Sequence, residues 1–144
     1  MKENRNEIEL QATPEQVWQV LTDLEKYSAW NPLLYLGTGN VELGETVEVS
    51  AKTATKDMKF TCKVTEVEPY SKFAWSFHVI HPFLFRGKHI FQIESIGEHT
   101  VKFIDREQFW GLLLPMQARD LQTNGLSAMI EMGEALKNKL ERGQ

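Results

Sequence analysis

The stretch that most constrains this chain is its C-terminal end, Leu112 to Arg142, which repeats apolar or small residues at one spacing. From Ala118 they fall at Leu121, Gly125, Met129, Met132, Leu136 and Leu140, always three or four apart, the period of one α-helix face. Leu126, Ile130 and Gly133 widen the stripe. Pro115 suits a first helical turn, where its missing N–H costs no bond. Lys137, Lys139 and Arg142 oppose the negative end of the helix dipole, and Gly143 is the expected stop. A helix of this length must bury its apolar face on something large, and the rest of the chain reads as strands. The expected partner is a sheet. Met129 and Met132 are flexible and Gly125 and Gly133 have no side chain, so this face either packs closely with methionine as filler or stands off around something else.

The chain before that helix begins with a weak alternation over Arg5–Gln11, read as a first strand. Thr13-Pro14-Glu15-Gln16 is a helix start with the residues of a capping box. Val17, Val20, Leu21 and Leu24 form the apolar face, a shorter turn of helix runs from Leu24 to Ala29, and Asn31-Pro32 ends it. Strands follow at Leu33–Leu36, Val47–Ala51, Met58–Val64, Phe73–Val79, His89–Ile93 and Val101–Phe109. Leu33–Leu36 is short and apolar, the later ones alternate with period two, and short turns join them, which predicts an antiparallel meander with one buried face.

Composition removes several classes of function. The 144 residues suit one domain, expected to span 1–144, with 42% apolar and 25% charged residues. The formal charge of −4 and the lack of a Lys/Arg cluster speak against a nucleic-acid surface. No apolar run approaches the roughly 20 residues of a membrane span, and no secretory signal is read, so a cytoplasmic location is expected. The single cysteine, Cys62, leaves no internal disulfide and no multi-cysteine metal site.

The order of strand, two short helices, about six strands and one long helix resembles the START-like, or SRPBCC, superfamily. Three phrases carry the likeness: Ala12-Thr13-Pro14-Glu15-Gln16-Val17-Trp18 leading to Tyr27-Ser28-Ala29-Trp30-Asn31-Pro32; Gly87-Lys88-His89-Ile90-Phe91 with Gly97 and Thr100; and Glu107-Gln108-Phe109-Trp110-Gly111. The resemblance implies an α+β helix-grip fold, a curved antiparallel sheet of about seven strands wrapped around the C-terminal helix with a cavity between them. It also implies hydrophobic ligands such as lipids, sterols or aromatic polyketides. Its members include carriers, cyclases, hydrolases and chaperone regulators, so the fold does not name the activity.

The residues themselves suggest where such a cavity would lie. Phe60, Trp75, Phe77, Phe91, Phe103 and Phe109 share the helix-facing side of their strands, either as plain core or as the wall of a ligand site facing Leu121, Gly125, Met129 and Met132. His89 and Glu107 are the polar residues on that face. A hairpin about Gly97-Glu98 pairs residues whose numbers sum to near 196, which sets His89 opposite Glu107. The pair is either structural or a ligand-orienting or acid–base couple. The apolar, proline-broken His81–Phe85 segment is read as core or as a lid, with Tyr27, Trp30 and Tyr35 on the opposite rim. No metal or cofactor is expected. The leading expectation is binding of a small hydrophobic or aromatic molecule by a monomer or homodimer. The rivals are a cyclase- or dehydratase-type enzyme using His89 and Glu107, and a regulator that binds another protein through the loop near Phe83.

Overall fold

A computed structural model describes residues 1–52 and 56–142. Strand β1 (Lys2–Leu10) leads into helix α1 (Pro14–Thr22) and a 3₁₀ turn (Leu24–Ala29). Then come β2 (Leu34–Thr38), β3 (Thr46–Lys52), β4 (Asp57–Glu68), β5 (Lys72–His78), β6 (Arg86–Gly97) and β7 (Thr100–Trp110). The chain ends in a long helical stretch made of α2 (Leu114–Asp120), a π-helical turn (Leu121–Gly125) and α3 (Leu126–Arg142). The expected stop at Gly143 lies outside the described residues.

All seven strands form one antiparallel sheet in the order β1-β7-β6-β5-β4-β3-β2, so the first strand closes the meander beside the last. This is the helix-grip α+β fold. Register breaks between Val64 and Glu66 on β4, and between Leu34 and Leu36 on β2, let the sheet curl. The β1 alternation begins earlier than its sequence suggests because Asn4 and Asn6 occupy inward positions, and these weaken the apolar pattern.

Local chemistry fixes the entry elements. The amide of Gln16 donates to Thr13 Oγ1 (3.2 Å) and that of Thr13 to Gln16 Oε1 (2.9 Å), completing the capping box. Helix α1 then buries Val17 and Leu21. Tyr27, fully buried in the 3₁₀ turn, donates its hydroxyl hydrogen bond to the Leu21 carbonyl, so it belongs to the core and not to a rim. Asn31 Oδ1 accepts from the amides of Leu33 and Leu34 (3.0 and 2.9 Å) and sets the start of β2.

The long helix is not uniform along its length. In α3, Met129, Met132, Gly133 and Leu136 are buried, whereas no residue of α2 or the π-helical turn is. The helix therefore lies down on the sheet from Met129 onward and stands away from it before. In the π turn, Asn4 Nδ2 donates to the Leu121 carbonyl (2.7 Å) from the neighbouring strand, which supports a backbone group that the wider turn loosens.

Candidate functional site

Two rows of cross-strand neighbours on the inner face build the site. The first runs Asn4, Glu107, His89, Trp75 and Val64 across β1, β7, β6, β5 and β4. The second, one pleat deeper, runs Asn6, Asp105, Phe91, Phe73 and Val67 on the same strands. Because side chains alternate faces, these rows are adjacent layers on one side of the sheet. From the first row Glu107, His89 and Trp75 face a cavity of about 570 Å³ beneath α2, the π turn and the start of α3; Phe91, Phe73 and Val67 of the second pack in the core.

His89 stands opposite Glu107, as the index sum of 196 predicts. Its hydrogen bond goes elsewhere. The imidazole leans along the strand, stacks on Phe91 (centroids 4.0 Å, 17° between planes) and places Nε2 2.6 Å from Asp105 Oδ1. Asp105 is fully buried, and among the described residues its Oδ2 has no hydrogen-bond partner. Asp105 lies two residues from Glu107 on the same strand face, one pleat away from the residue opposite His89. A diagonal neighbour lies within reach of a long side chain, and that was the available signal.

The electrostatics follow from this packing. Burial works against the charged form of His89, but the Asp105 carboxylate, the nearby Glu107 and the Asp105 hydrogen bond outweigh it, so its pKa is raised. Burial pushes the Glu107 carboxyl up to about 7; His89 pulls against this and Asp105 adds to it. The floor of the cavity thus holds a histidine hydrogen-bonded to Asp105 beneath it, beside a Glu107 carboxyl poised near pH 7 between its two forms. The Cys62 thiol, also on the wall, is pushed up to about 12 by burial and stays an unreactive thiol. Among the described residues no group of three or more His, Cys, Asp or Glu side chains is placed to hold a metal ion.

These shifts set a pH dependence of stability. Glu107 titrates near 4.5 unfolded and near 7 folded, so its protonated form favours the fold and that contribution drains away as pH rises from 4.5 to 7. His89 acts in the same direction: its contribution is full below 6.5 and is lost as pH climbs through its higher folded value. Urea midpoints are expected to be lower at pH 8.5 than at pH 5.5. The Glu107→Gln variant should flatten that slope, removing about 3 kcal/mol of pH-dependent stability at most. An unchanged slope in the variant would show that Glu107 does not titrate near neutrality.

Eight of the side chains expected at the site line the cavity. Phe60, Trp75, Phe77 and Phe109 form aromatic wall, His89 and Glu107 the polar floor, and Leu121 and Gly125 the helix side. Phe77 lies flat because its cross-strand partner is Gly87, where a Cβ would sit 2.5 Å from the ring. Gly125 does not leave the open gap its sequence suggests, since a Cβ there would meet Asn4 Nδ2 at 3.2 Å.

The other four do not face the cavity. Phe91 is fully buried between His89 and Phe73 (centroids 4.5 Å), and Phe103 lies behind it. Met129 and Met132 are fully buried where α3 rests on the sheet. They form the layer behind the wall, because the helix stands off only before Met129. The rim carries polar groups that the apolar pattern could not flag: Lys52, Gln117, Asp120, Asn124 and Glu131. Of the expected lid segment, Phe85 lines the cavity while Phe83 points outward; just before it, Val79 lines the cavity and Ile80 points outward. Trp30 and Tyr35 are not among the lining residues.

With that geometry in view, comparison with known proteins identifies the lineage. Residues 1–129 match the family described as polyketide cyclase / dehydrase and lipid transport. The chain belongs to this family. No curated protein sequence matches it. Its fold, that of the START-like (SRPBCC) superfamily, recurs in solved structures of low identity. One is a protein from Mesorhizobium loti (TM-score 0.79, 18% identity, 99% of both chains). Another is the Zhui aromatase/cyclase from Streptomyces sp. R1128 (0.78, 15%, 98% of this chain and 94% of that one). A third is a START superfamily protein from Mycobacterium smegmatis (0.74, 14%, 99% of both). At such identities the likeness is one of fold. As a family member, the chain has the framework of a ligand-binding helix-grip protein.

Proposed function

We propose that this protein binds a small, uncharged hydrophobic or aromatic molecule in the cavity between sheet and helix, with one oxygen of the ligand directed at His89 and Glu107. The observation that carries this reading is the cavity itself, about 570 Å³ of largely apolar and aromatic wall with hydrogen-bonding groups gathered on its floor. Charge narrows the ligand class. Asp120 and Glu131 stand on the helix side of the lining and Glu107, which turns anionic above about pH 7, on its floor, so a carboxylate ligand meets increasing repulsion as pH rises and a neutral one does not.

The test is titration with an uncharged naphthol-type fluorophore and with a fatty acid of similar size. The naphthol is expected to bind in the micromolar range and the fatty acid at least about tenfold more weakly. Ala128 faces the cavity from the helix. Ala128→Phe fills that space and should weaken the fluorophore about tenfold or more while the chain stays folded. A folded Ala128→Phe protein with unchanged affinity would mean the cavity is not the site.

One observation favours a second reading, a cyclase- or dehydratase-type enzyme. Glu107, near 7, sits across from an Asp105-oriented histidine, and groups poised near the working pH are suited to proton transfer. An aromatase/cyclase of the same fold supports it. In that case Glu107→Gln would abolish turnover of a polyketide-like substrate while leaving its binding intact.

A further inference from the structure

On the cavity floor, Glu107 is left without a hydrogen-bond or ion-pair partner among the described residues. Both of its cross-strand neighbours are committed elsewhere. On β6, His89 Nε2 lies 2.6 Å from Asp105 Oδ1; on β1, Asn4 Nδ2 donates to the Leu121 carbonyl (2.7 Å). The Glu107 side chain is half-buried and borders the cavity, where solvent still reaches it. Cavity water is thus what solvates this carboxyl before a ligand arrives. The wall around it is largely aromatic: Phe60, Trp75, Phe77 and Phe109. Sheet and helix offer nothing to replace that water once it is displaced.

A ligand that fills the cavity takes the water away. An ionised carboxylate shut between aromatic rings and an apolar ligand is far costlier than a neutral carboxyl in the same place. The neutral form is close at hand, since burial already lifts Glu107 to about 7, with His89 pulling against the rise and Asp105 adding to it. The charges that act on Glu107 are those two. Of the other ionisable lining groups, Lys52 of β3 and Glu131 of α3 are exposed to solvent. Asp120 of α2 accepts from Asn124 Nδ2 (2.7 Å), and Cys62 of β4 stays a neutral thiol, pushed up to about 12. Filling the cavity therefore drives a proton onto Glu107.

We infer that the cavity takes its ligand together with a proton, and that Glu107, neutral in the complex, donates its hydrogen bond to an acceptor oxygen of the ligand, a carbonyl. The inference rests on the cavity being the binding site, and adds which group of the ligand is read and at what pH. A hydroxyl ligand differs in kind, because it can donate to the ionised carboxylate and needs no proton. For a carbonyl ligand the linkage has a definite sign. Below about pH 7 the free carboxyl already carries its proton, and affinity is level. Above that point the proton must be taken up on binding, so affinity falls as pH rises. The site loads on the acid side of neutrality and releases on the alkaline side.

The test is titration of the whole chain with two uncharged probes of similar size, an acyl-naphthalene and a naphthol, between pH 5.5 and pH 8.5, where neither probe ionises. The acyl probe is expected to bind about tenfold or more weakly at the alkaline end, and the naphthol to change by less than about threefold. Calorimetry at pH 8 in buffers of different ionisation enthalpy should show the acyl probe drawing in about one proton per site. Glu107→Gln keeps a donor of the same shape and should abolish both the uptake and the pH dependence, whatever its affinity. His89→Gln removes the group that holds Glu107 down, so the fall should move to higher pH and not vanish. Circular dichroism confirms that each variant is folded. Acyl-probe binding that is level with pH and draws no proton overturns the inference and leaves the cavity as the site. So does an uptake that survives Glu107→Gln, or an equal fall for both probes. Binding of neither probe at any pH, or binding indifferent to Ala128→Phe, overturns the cavity reading and this inference with it.

Discussion

Replacing Asp105 by alanine is expected to cost about 3–5 kcal/mol of folding stability at pH 6, the range for removing one partner of a buried charged pair. Asp105 is fully buried and holds His89 at 2.6 Å, so its loss leaves a ring enclosed by Phe91 and Trp75 whose charged form has no counter-charge and must be given up in the fold. The unpartnered Oδ2 works in the other direction, because removing a poorly satisfied carboxylate recovers part of its desolvation. The pair still wins, because one lone oxygen costs less than an isolated buried charge. The penalty should grow as pH falls. The variant's histidine, held neutral by burial, takes up its proton on unfolding, whereas the wild-type histidine is already protonated when folded. Urea denaturation at pH 6 and pH 8, with NMR titration of the His89 ring, measures both effects. A loss under about 1 kcal/mol with an unmoved histidine titration would show that the pair does not form.

Truncating Phe91 to alanine should be as damaging, at about 3–5 kcal/mol, because it opens a void in the deeper row. Phe91 stacks against Phe73 and His89 and meets Trp75 edge-on at 4.9 Å. Its role is separable from that of the wall. Phe91→Leu, which keeps most of the volume, should lower stability by about 1–2 kcal/mol and leave affinity for an uncharged fluorophore within about threefold. Phe60→Ala, on the cavity surface, should do the reverse: affinity falls by about tenfold while stability changes less. Equal loss of affinity in both variants would place Phe91 in contact with the ligand.

Much of this arrangement was legible because strands write their faces with period two. The alternation Phe73, Trp75, Phe77 and the pairing of His89 with Glu107 follow from that period and one hairpin turn, and both hold in the structure. The small register shift between Ser95 and Gly97 lies beyond the site and does not disturb it. What alternation cannot tell is how far a side chain leans. His89 bonds Asp105, one pleat away, and the direct cross-strand partner is left to face the cavity.

The helix was harder for a different reason. A repeat of three and four residues assumes an unbroken α-helix, and nothing in Leu121–Gly125 announces a π turn. Its support comes from Asn4, far away in the chain, which also fills the place that a missing side chain at Gly125 would leave empty. The repeat located the apolar face correctly from Met129 to Leu140. It gave no sign that the helix parts from the sheet before Met129, and that parting decides which residues border the cavity.

The π turn makes the rim adjustable independently of the walls. It holds one residue more than an α-turn, so a chain lacking one residue between Leu121 and Gly125 would close into regular helix there. Everything on its N-terminal side would then swing by about 100° about the axis. Gln117 and Asp120 would leave the cavity mouth and other side chains of α2 would take their places, while Phe60, Trp75, His89 and Glu107 stayed where the sheet holds them. A single codon lost at this spot is thus a route by which descent could re-address the pocket to another molecule without rebuilding it.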